Sequence, residues 1–425
     1  MKRAKLAPAA LSLVLLLTGC GPQPAGPGSA DSARWNPALN NILGLTAEQR
    51  LEDYDYFRDT LQNSYLYLGV HDREVPDDPS SGIFDEYREL IAANDTDEAF
   101  YTALYSCLYR LNGFGHLWLI EPEGYQATVE AAQLGAYSDK PYWAEVIGSP
   151  KAREGYAKLS AYLAERDKDD PYDGQSPTVD EDYQNLRTML LPGGEIGYIK
   201  IDSFLAPYEY EEEQNALFAF YEQAANCTDL IIDLTENSGG SELYWQNLIV
   251  APHIDQPLAC ENYALLAKSE NNTPYIESAF RPEALHPIAE LPKLPAFQQS
   301  GTQAATHFIV SKLAVSPSAY RSPFRGRLWF LVNESVYSAS ESLCVFAKQT
   351  GFATLVGTQT GGDGIGALDP VYMTLPNSGL MIQYSMMFGL NPDGSSSEEA
   401  GTTPDIVSPA GETPLITALR AIIEK

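Results

Sequence analysis

The chain has 425 residues, of which 44% are hydrophobic and 20% charged, and its formal net charge is −30. This length and composition are typical of a globular protein with one large domain or two ordinary ones. Nucleic acid is excluded as an expected partner, because so acidic a surface repels phosphate and the sequence has no compensating basic patch.

Residues 1–19 have the pattern of an export signal. They begin with basic side chains and continue with an apolar run from Leu11 to Leu17, which is too short for a stable membrane-spanning helix. The Leu-Thr-Gly-Cys segment that ends at Cys20 resembles the bacterial lipobox, in which the cysteine is lipidated and becomes the mature N-terminus. An ordinary signal peptide with an incidental cysteine is the alternative. The lipobox implies anchoring to the cell membrane on its extracytoplasmic side, with residues 20–40 as a flexible tether.

The remaining cysteines and the five histidines show no metal-ligand spacing. The sequence therefore predicts no zinc site and no other cofactor. The cysteine spacings do not define a disulfide pairing.

Residues 41–120 have the pattern of a small helical unit. Thr46 and Gln49 form a capping box, and apolar residues follow at helical spacing. Two further helices are predicted over residues 84–93 and from about residue 95 to residue 112.

His116 follows this unit in the segment Phe114-Gly115-His116, at the start of an apolar run. The preceding glycine leaves the approach to the ring open, and functional groups concentrate in loops. A structural histidine held by hydrogen bonds is the alternative.

Residues 121–190 are polar, acidic and rich in tyrosine. We predict one helix, over residues 151–165, and interpret the segment as a connecting region or a cap. It has no convincing peptide-binding PDZ module.

From residue 191 to residue 425, strands and helices alternate. A buried strand at 229–234 leads into a turn that contains Gly239 and Gly240 and then into a helix. Such a turn presents backbone N–H groups that can hold phosphate or an oxyanion. It lacks the lysine of a phosphate loop, and a tight turn that requires glycine is the alternative. Residues 271–327 are rich in proline and alanine, which indicates an insertion near a cleft.

Ser338 lies at the start of a predicted helix that ends at Gly351, behind a predicted strand at 328–332. In the first turn of a helix, backbone N–H groups are unpaired and the dipole favours negative charge. This position suits a nucleophile and its oxyanion, and a simple helix cap is the alternative. A strand at 354–357, a hairpin over 371–386 and a last helix at 414–424 complete the prediction.

Six separated elements within residues 195–425 resemble the catalytic core of tail-specific (C-terminal-processing) serine peptidases, tricorn-type peptidases and their retinoid-binding relatives. Each element is weak alone, but together they follow the order of the family. The resemblance implies an α/β fold with a crotonase-like ββα-spiral core at residues 191–425. The matching elements are Ile196–Ile201, Asp233-Leu234 with Asn237-Ser238-Gly239-Gly240, Leu331-Val332-Asn333 with Ser338-Ala339-Ser340-Glu341, Val356-Gly357 with Thr360-Gly361-Gly362, Leu375-Pro376 with Ser378-Gly379, and Gly401 with Pro404-Asp405.

The resemblance places the nucleophile at Ser338. It places the oxyanion donors at the backbone N–H groups of Ala339 and of Gly239 or Gly240. The tail-specific branch activates its serine with a lysine in a Thr-Phe-Gly-Lys-Gly loop, but here Asp363 stands at the lysine position. A carboxylate cannot replace the amine as a base at neutral pH without a large pKa shift.

The tricorn branch uses histidine as the base, in a loop after the N-terminal helices, and a glutamate before the final Gly…Pro-Asp. His116 matches the first and Glu398 the second, with its neighbour Glu399 left open. His116 would take the Ser338 proton, and Glu398 would hold the tautomer and stabilise the imidazolium. A solvated acidic turn is the alternative for both glutamates.

The peptidase resemblance implies a serine peptidase of the Ser-His-Glu rather than the Ser-Lys type, with peptide or protein substrates, and the lipobox implies that it is anchored to the cell surface. The alternative is a non-catalytic binding lipoprotein of the same fold that holds an apolar ligand or a peptide. The sequence carries no signal for a particular oligomeric state.

Overall fold

The computed structural model describes residues 41–135, 137–138, 140–166, 184–297, 302–365 and 370–424. The predicted signal, Cys20 and the tether lie outside these residues. Within the described ranges, the longest and most apolar helices are still too short or too polar to cross a membrane.

The described part of the chain contains thirteen α-helices. They are α1 Ala47–Ser64, α2 Leu68–Glu74, α3 Ser80–Ala92, α4 Asp97–Arg110, α5 Pro122–Gln133, α6 Pro141–Ile147, α7 Pro150–Arg166, α8 Glu211–Gln223, α9 Glu242–Tyr244, α10 Thr273–Ala279, α11 Ala339–Thr350, α12 Ser397–Ala400 and α13 Pro414–Ile423. Helix α9 continues into a π-helical segment, Trp245–Val250.

The same described ranges contain thirteen β-strands. They are β1 Trp118–Leu119, β2 Leu186–Leu190, β3 Ile196–Ile201, β4 Asp229–Asp233, β5 Leu258–Leu266, β6 His286–Pro287, β7 His307–Val315, β8 Arg327–Val332, β9 Thr354–Gly357, β10 Pro370–Thr374, β11 Met381–Ser385, β12 Met387–Leu390 and β13 Ile406–Val407.

A six-stranded sheet forms the centre of the C-terminal part, with the strand order β13-β9-β8-β4-β3-β2. All neighbouring pairs are parallel except β2 and β3. Every residue of β4 is buried, which is typical of a parallel strand covered on both faces. The predicted α/β class is confirmed. Because carboxyl ends of parallel strands share one edge, the loops after β4, β8 and β9 gather there.

Two smaller sheets connect the helical unit to this core. The first has the order β1-β11-β10 and the second the order β12-β5-β7-β6. Strand β1 pairs with β11, with Trp118 opposite Gln383, so the segment that carries His116 lies beside the β10–β11 hairpin. One apolar core is shared by the helical unit, by α5–α7 and by β10–β12.

Several predicted elements are confirmed at their predicted bounds. The Thr46–Gln49 capping box is present, and the strand at 354–357 matches residue for residue. The element Ile196–Ile201 of the family resemblance is strand β3. Residues 121–190 hold helices α5 and α6 in addition to the predicted α7. Each of the two begins with proline, a signal for a helix start that the sequence offered.

Residues 271–327, which the sequence indicated to be an insertion near a cleft, contain a strand that was not predicted. Strand β7 pairs with β5 along its whole length, from Leu258 opposite Val315 to Leu266 opposite His307. The partner strand lies about forty residues away, so no local hairpin signal marks the pairing.

Helix α7 and the β10–β11 turn approach each other closely at Gly155. A Cβ atom at Gly155 would collide with the carbonyl oxygen of Ser378, whereas one at Gly82 in α3 would meet nothing within 4 Å. Both glycines lie in helices and lack a positive φ.

We therefore predict opposite effects of alanine at these two glycines. Gly82→Ala should raise the free energy of unfolding by about 0.5–1 kcal/mol through helix propensity. Gly155→Ala should lower the free energy of unfolding by about 1–3 kcal/mol, because the backbones of α7 and of the β10–β11 turn must move apart. Urea denaturation of both variants measures this. Equal stabilisation by both substitutions would contradict the packing of α7 on the hairpin.

Candidate active site

Ser338 lies in a strained turn between β8 and α11. Its backbone angles are φ 55° and ψ −123°, and its side chain makes no capping hydrogen bond to the helix. The helix-cap alternative is therefore wrong. The residue is only 3% exposed, and its backbone N–H donates to the Gly362 carbonyl at 3.1 Å. A sharp strand–turn–helix connection of this kind aims a side chain outward from the end of a sheet.

Backbone strain is concentrated at this site. Five non-glycine residues have positive φ in the described ranges: Asn112, His116, Glu236, Ser338 and Asp363. Three of them, Ser338, His116 and Asp363, come from distant segments and meet in space. Each such conformation costs on the order of 1–3 kcal/mol and persists only where the surroundings enforce it. Their convergence indicates a functional site.

His116 contacts Ser338 directly. The ring nitrogen Nε2 lies 3.2 Å from the Ser338 hydroxyl oxygen, which is hydrogen-bond distance. The ring is buried between two aromatic side chains, with centroid distances of 5.6 Å to Trp118 and 5.4 Å to Tyr337. The sequence-based expectation that His116 and Ser338 meet is thus matched by the geometry.

The other ring nitrogen of His116 faces Asp363. Nδ1 lies 2.8 Å from Asp363 Oδ2, and the Ser385 hydroxyl lies 3.4 Å from the same nitrogen. Asp363 Oδ2 has no well-aligned hydrogen-bond partner among the described residues. The contact between His116 Nδ1 and Asp363 Oδ2 is therefore a close approach of two polar atoms that lacks the alignment of a hydrogen bond.

Asp363 is placed by the glycines around it. A Cβ at Gly362 would lie 2.5 Å from the Glu398 carbonyl oxygen, and one at Gly364 would lie 2.6 Å from the Ser342 backbone nitrogen. The loop can therefore pack against both α12 and the first turn of α11 only with glycine at these positions. Asp363 itself is fully buried.

Glu398 does not occupy the position that the sequence predicted for it. Its carboxylate accepts hydrogen bonds from the Tyr337 hydroxyl at 3.1–3.2 Å and from the Gly115 backbone N–H at 3.4 Å. The side chain at His116 Nδ1 is Asp363 instead. The reason is the course of the 360–364 loop, which is bridged to Tyr337 and hydrogen-bonded to Ser397 and so lies between α12 and the Ser338 turn.

Glu399 is engaged elsewhere. Its two carboxylate oxygens accept from Nε and from Nη2 of Arg73, each at 2.7 Å, in a bidentate ion pair that ties α12 to α2. Glu398, in contrast, is buried, and burial followed by the negative charge of Asp363 raises its pKa well above the usual range.

The glycine turn after β4 lies against Ser338. A Cβ at Gly239 would come within 2.9 Å of the Ser338 Cβ and 3.0 Å of the Ala339 nitrogen. The Gly239 N–H already donates to Asn237 Oδ1 at 2.9 Å. The N–H groups of Gly240 and Ala339 donate to no acceptor within the described part of the chain. Of the predicted oxyanion donors, these two are available.

Sequence reasoning missed two features of the site, the contact of Asp363 with His116 and the Tyr67 hydroxyl 2.9 Å from Asp363 Oδ1. An aspartate between glycines, which tolerates positive φ, was a usable signal for the first. Nothing in the sequence around Tyr67 indicates its contact with Asp363. In the described ranges no group of histidine, cysteine and acidic side chains has a geometry that could hold a metal ion, and Cys107, Cys227, Cys260 and Cys344 are buried free thiols.

Glu341, three residues after Ser338, is a third buried acid beside this site. Thr402 donates to its Oε1 at 2.6 Å, and Oε2 has no partner among the described residues. Burial is the main cause that raises its pKa to about 7. Protonation of a carboxyl group whose pKa is higher in the folded state stabilises that state. This contribution is complete below the pKa of the unfolded state and is lost as the pH rises through the pKa of the folded state.

We predict that Glu341→Gln removes this pH dependence. Between about pH 4.5 and pH 7 the wild-type free energy of unfolding should fall by a few kcal/mol relative to the variant, at roughly 1.4 kcal/mol per pH unit. Urea denaturation of both proteins at pH 5 and pH 8 measures the difference. The free energy of unfolding of Glu341→Gln minus that of the wild type should be larger at pH 8 than at pH 5. An equal or smaller difference at pH 8 would contradict the raised pKa of Glu341.

A comparison with curated protein sequences finds no match. Among solved structures, the chain is similar to a provisionally assigned peptidase from Parabacteroides merdae, with 16% identity, a TM-score of 0.51, and coverage of 89% of this chain and 97% of that chain. This likeness supports the fold. Mature CPAF (14% identity, TM-score 0.48, 85% and 92% coverage) and the photosystem II D1 C-terminal processing protease (14%, 0.42, 86% and 94%) are more distant in structure.

The model of Peptidase family S41 matches residues 195–408, which is half of the chain and contains Ser338, Asp363 and the glycine turn. The chain belongs to peptidase family S41, a family of serine-type peptidases that includes the tail-specific and tricorn-type enzymes.

Proposed function

We propose that this protein hydrolyses peptide bonds with Ser338 as the nucleophile, His116 as the general base and acid, and Asp363 as the carboxylate that orients His116. One observation carries the proposal: side-chain contacts run without interruption from Asp363 through both nitrogens of His116 to the Ser338 hydroxyl. The order of contacts is the one that acyl transfer by serine requires.

In the first half-reaction, Ser338 Oγ attacks the carbonyl carbon of the scissile bond while His116 Nε2 accepts the hydroxyl proton. The carbonyl oxygen becomes an oxyanion, and the N–H groups of Gly240 and Ala339 are suited to donate to it. The imidazolium then protonates the amine nitrogen, the C–N bond breaks, and an ester to Ser338 remains.

In the second half-reaction, water attacks the ester carbon and gives a proton to His116 Nε2. Collapse of the second tetrahedral intermediate returns this proton to Ser338 Oγ and releases the carboxylate product. Throughout, the negative charge of Asp363 stabilises the imidazolium and favours the tautomer that leaves Nε2 free as a base. A buried carboxylate at 2.8 Å is a strong source of such stabilisation.

The proposal assigns to Asp363 the role that the sequence assigned to Glu398. The raised pKa of Glu398 supports this assignment, because a carboxyl group that holds its proton more strongly carries less charge with which to stabilise an imidazolium. Glu398 would instead act as a neutral hydrogen-bonding group for Gly115 and Tyr337.

The two carboxyl groups can be distinguished by isosteric amides. We expect Asp363→Asn to lower kcat/KM on a peptide library by about 10³–10⁴-fold, since the amide removes the charge and disturbs the tautomer. Glu398→Gln should cost less than about tenfold, since it replaces a neutral group with a neutral group. Ser338→Ala should reduce hydrolysis to the background rate.

The assignment of Asp363 is wrong if the ranking of the two amide variants is reversed. The enzymatic function is wrong if wild type and Ser338→Ala hydrolyse the library at the same rate. In that case the binding alternative gains support, and native mass spectrometry of the purified protein would reveal a retained apolar ligand or peptide. Thermal unfolding of each variant controls for loss of folding.

We also propose that the protein is held on the extracytoplasmic side of the cell membrane by lipid on Cys20. The support is the sequence of the first twenty residues alone. The full chain should distribute to the membrane fraction, and Cys20→Ala should shift it to the soluble fraction or the medium. An unmodified Cys20 in the mass spectrum of the mature protein would refute the anchor.

A further inference from the structure

Tyr67, immediately before α2, contributes a buried hydroxyl to the active site. This oxygen lies 2.9 Å from Asp363 Oδ1 and 2.9 Å from the Met387 carbonyl oxygen. A phenol has one proton and two acceptors compete for it here. An ionised carboxylate is the stronger acceptor, so the proton points to Asp363 when Asp363 is charged.

The ring of Tyr67 is fixed by packing that does not depend on the hydroxyl. It stacks on Tyr65 with 5.5 Å between ring centroids and contacts Phe388 at 4.9 Å. It also packs against the histidine loop, since a Cβ at Gly115 would come within 2.5 Å of the Tyr67 ring. Removal of the hydroxyl alone should therefore leave the ring in place.

Asp363, Glu398 and Glu341 form a buried acid cluster. The ionisable groups that face it are His116, Tyr67, Tyr65 and Tyr337, with Cys344 beside Glu341 and the Arg73–Glu399 pair behind Glu398. Among the described residues, no lysine or arginine forms an ion pair with any of the three acids. Neighbouring buried carboxyl groups do not all ionise together. A contact that favours ionisation of one of them therefore determines where the negative charge lies.

The hydrogen-bond donors of the cluster are unequal. Asp363 accepts a hydrogen bond from the Tyr67 hydroxyl at 2.9 Å and faces His116 Nδ1 at 2.8 Å without an aligned hydrogen bond. Glu398 has the Tyr337 hydroxyl at 3.1–3.2 Å and the Gly115 N–H at 3.4 Å. Without the Tyr67 hydroxyl, Asp363 would lose one of its two short contacts, while Glu398 would keep both of its longer ones.

We propose that Tyr67 is a positioning residue whose hydroxyl makes Asp363, rather than Glu398, the ionised member of the buried acid cluster. This inference rests on the proposed function, because the position of the charge matters only if His116 acts as the base. Tyr67 touches neither Ser338 nor the substrate carbonyl in this scheme, and it acts on catalysis through Asp363.

Tyr67→Phe and Tyr221→Phe form a matched pair for the test. Tyr221 is also fully buried and donates its hydroxyl to a backbone carbonyl, that of Leu248 at 2.9 Å, but it lies in a different apolar core. Both variants should lose similar stability. We expect kcat/KM to fall by about 10–100-fold in Tyr67→Phe, mostly through kcat, and by less than twofold in Tyr221→Phe. In this scheme the acid limb of the pH–rate profile marks the protonation of Asp363, and loss of a donor to a carboxylate favours its protonated form. The acid limb should therefore move to higher pH only in Tyr67→Phe.

The double variant Tyr67→Phe/Glu398→Gln gives the sharpest test. If the charge has moved to Glu398 in Tyr67→Phe, removing that second acid should return it to Asp363 and restore kcat/KM by at least about fivefold. The inference would be overturned if the losses in kcat/KM of the two single variants simply multiplied in the double variant. It would also be overturned if Tyr67→Phe behaved like Tyr221→Phe. Either result would leave the proposed function standing. Failure of the proposed function would show separately, as equal rates for wild type and Ser338→Ala.

A second substitution covers the case in which Tyr67→Phe does not fold. Replacement of Tyr67 by 2,3-difluorotyrosine keeps the ring and the hydroxyl and makes the hydroxyl a better donor. The acid limb should then move to lower pH than in the wild type. An unchanged or raised acid limb would contradict the inference.

Discussion

The close packing of the Asp363 loop against the Ser338 turn is the constraint on which the site depends. The Ser338 N–H donates to the carbonyl of Gly362, and the Asp363 N–H donates to that of Ser397. These two backbone bonds hold three chain segments together and leave room only for glycine on either side of Asp363. Because the loops follow neighbouring parallel strands, the sheet delivers them to the same edge. His116 then has to come from outside the sheet.

The N-terminal helical unit supplies that histidine, and a shared apolar core determines where it goes. Strand β1 pairs with β11 just after His116, so the sheet register sets the depth of the ring. The rings of Trp118 and Tyr337 flank it and limit its rotation. The strained φ angles at His116, Ser338 and Asp363 are maintained by this packing and not by local preference. Packing in the surrounding apolar cores therefore holds backbone angles that these segments would not adopt in isolation.

Sequence reasoning predicted the α/β class, several elements at their bounds, and the candidates Ser338 and His116. These predictions rest on signals local to a segment: a capping box, apolar periodicity, glycine turns and a motif order. It did not predict that Asp363 faces His116, because the family pattern directed attention to a missing lysine and to a glutamate thirty-five residues later. Tyr67 could not be predicted, since nothing in its neighbours indicates contact with a residue almost three hundred positions away. The β5–β7 pairing escaped for the same reason.

Asp363 is buried beside His116, and the buried acids Glu398 and Glu341 lie close to Asp363, so charge placement is the central electrostatic question of the site. A single negative charge at Asp363 would stabilise the imidazolium, whereas the same charge on Glu398 would act from behind Tyr337 and Gly115. The most direct test of the account is the reaction of the protein with a fluorophosphonate, with the modified residue located by mass spectrometry. The account predicts modification at Ser338 in the wild type and a loss of at least about a hundredfold in rate in His116→Ala. Modification at another residue, or an equal rate in His116→Ala, would contradict it.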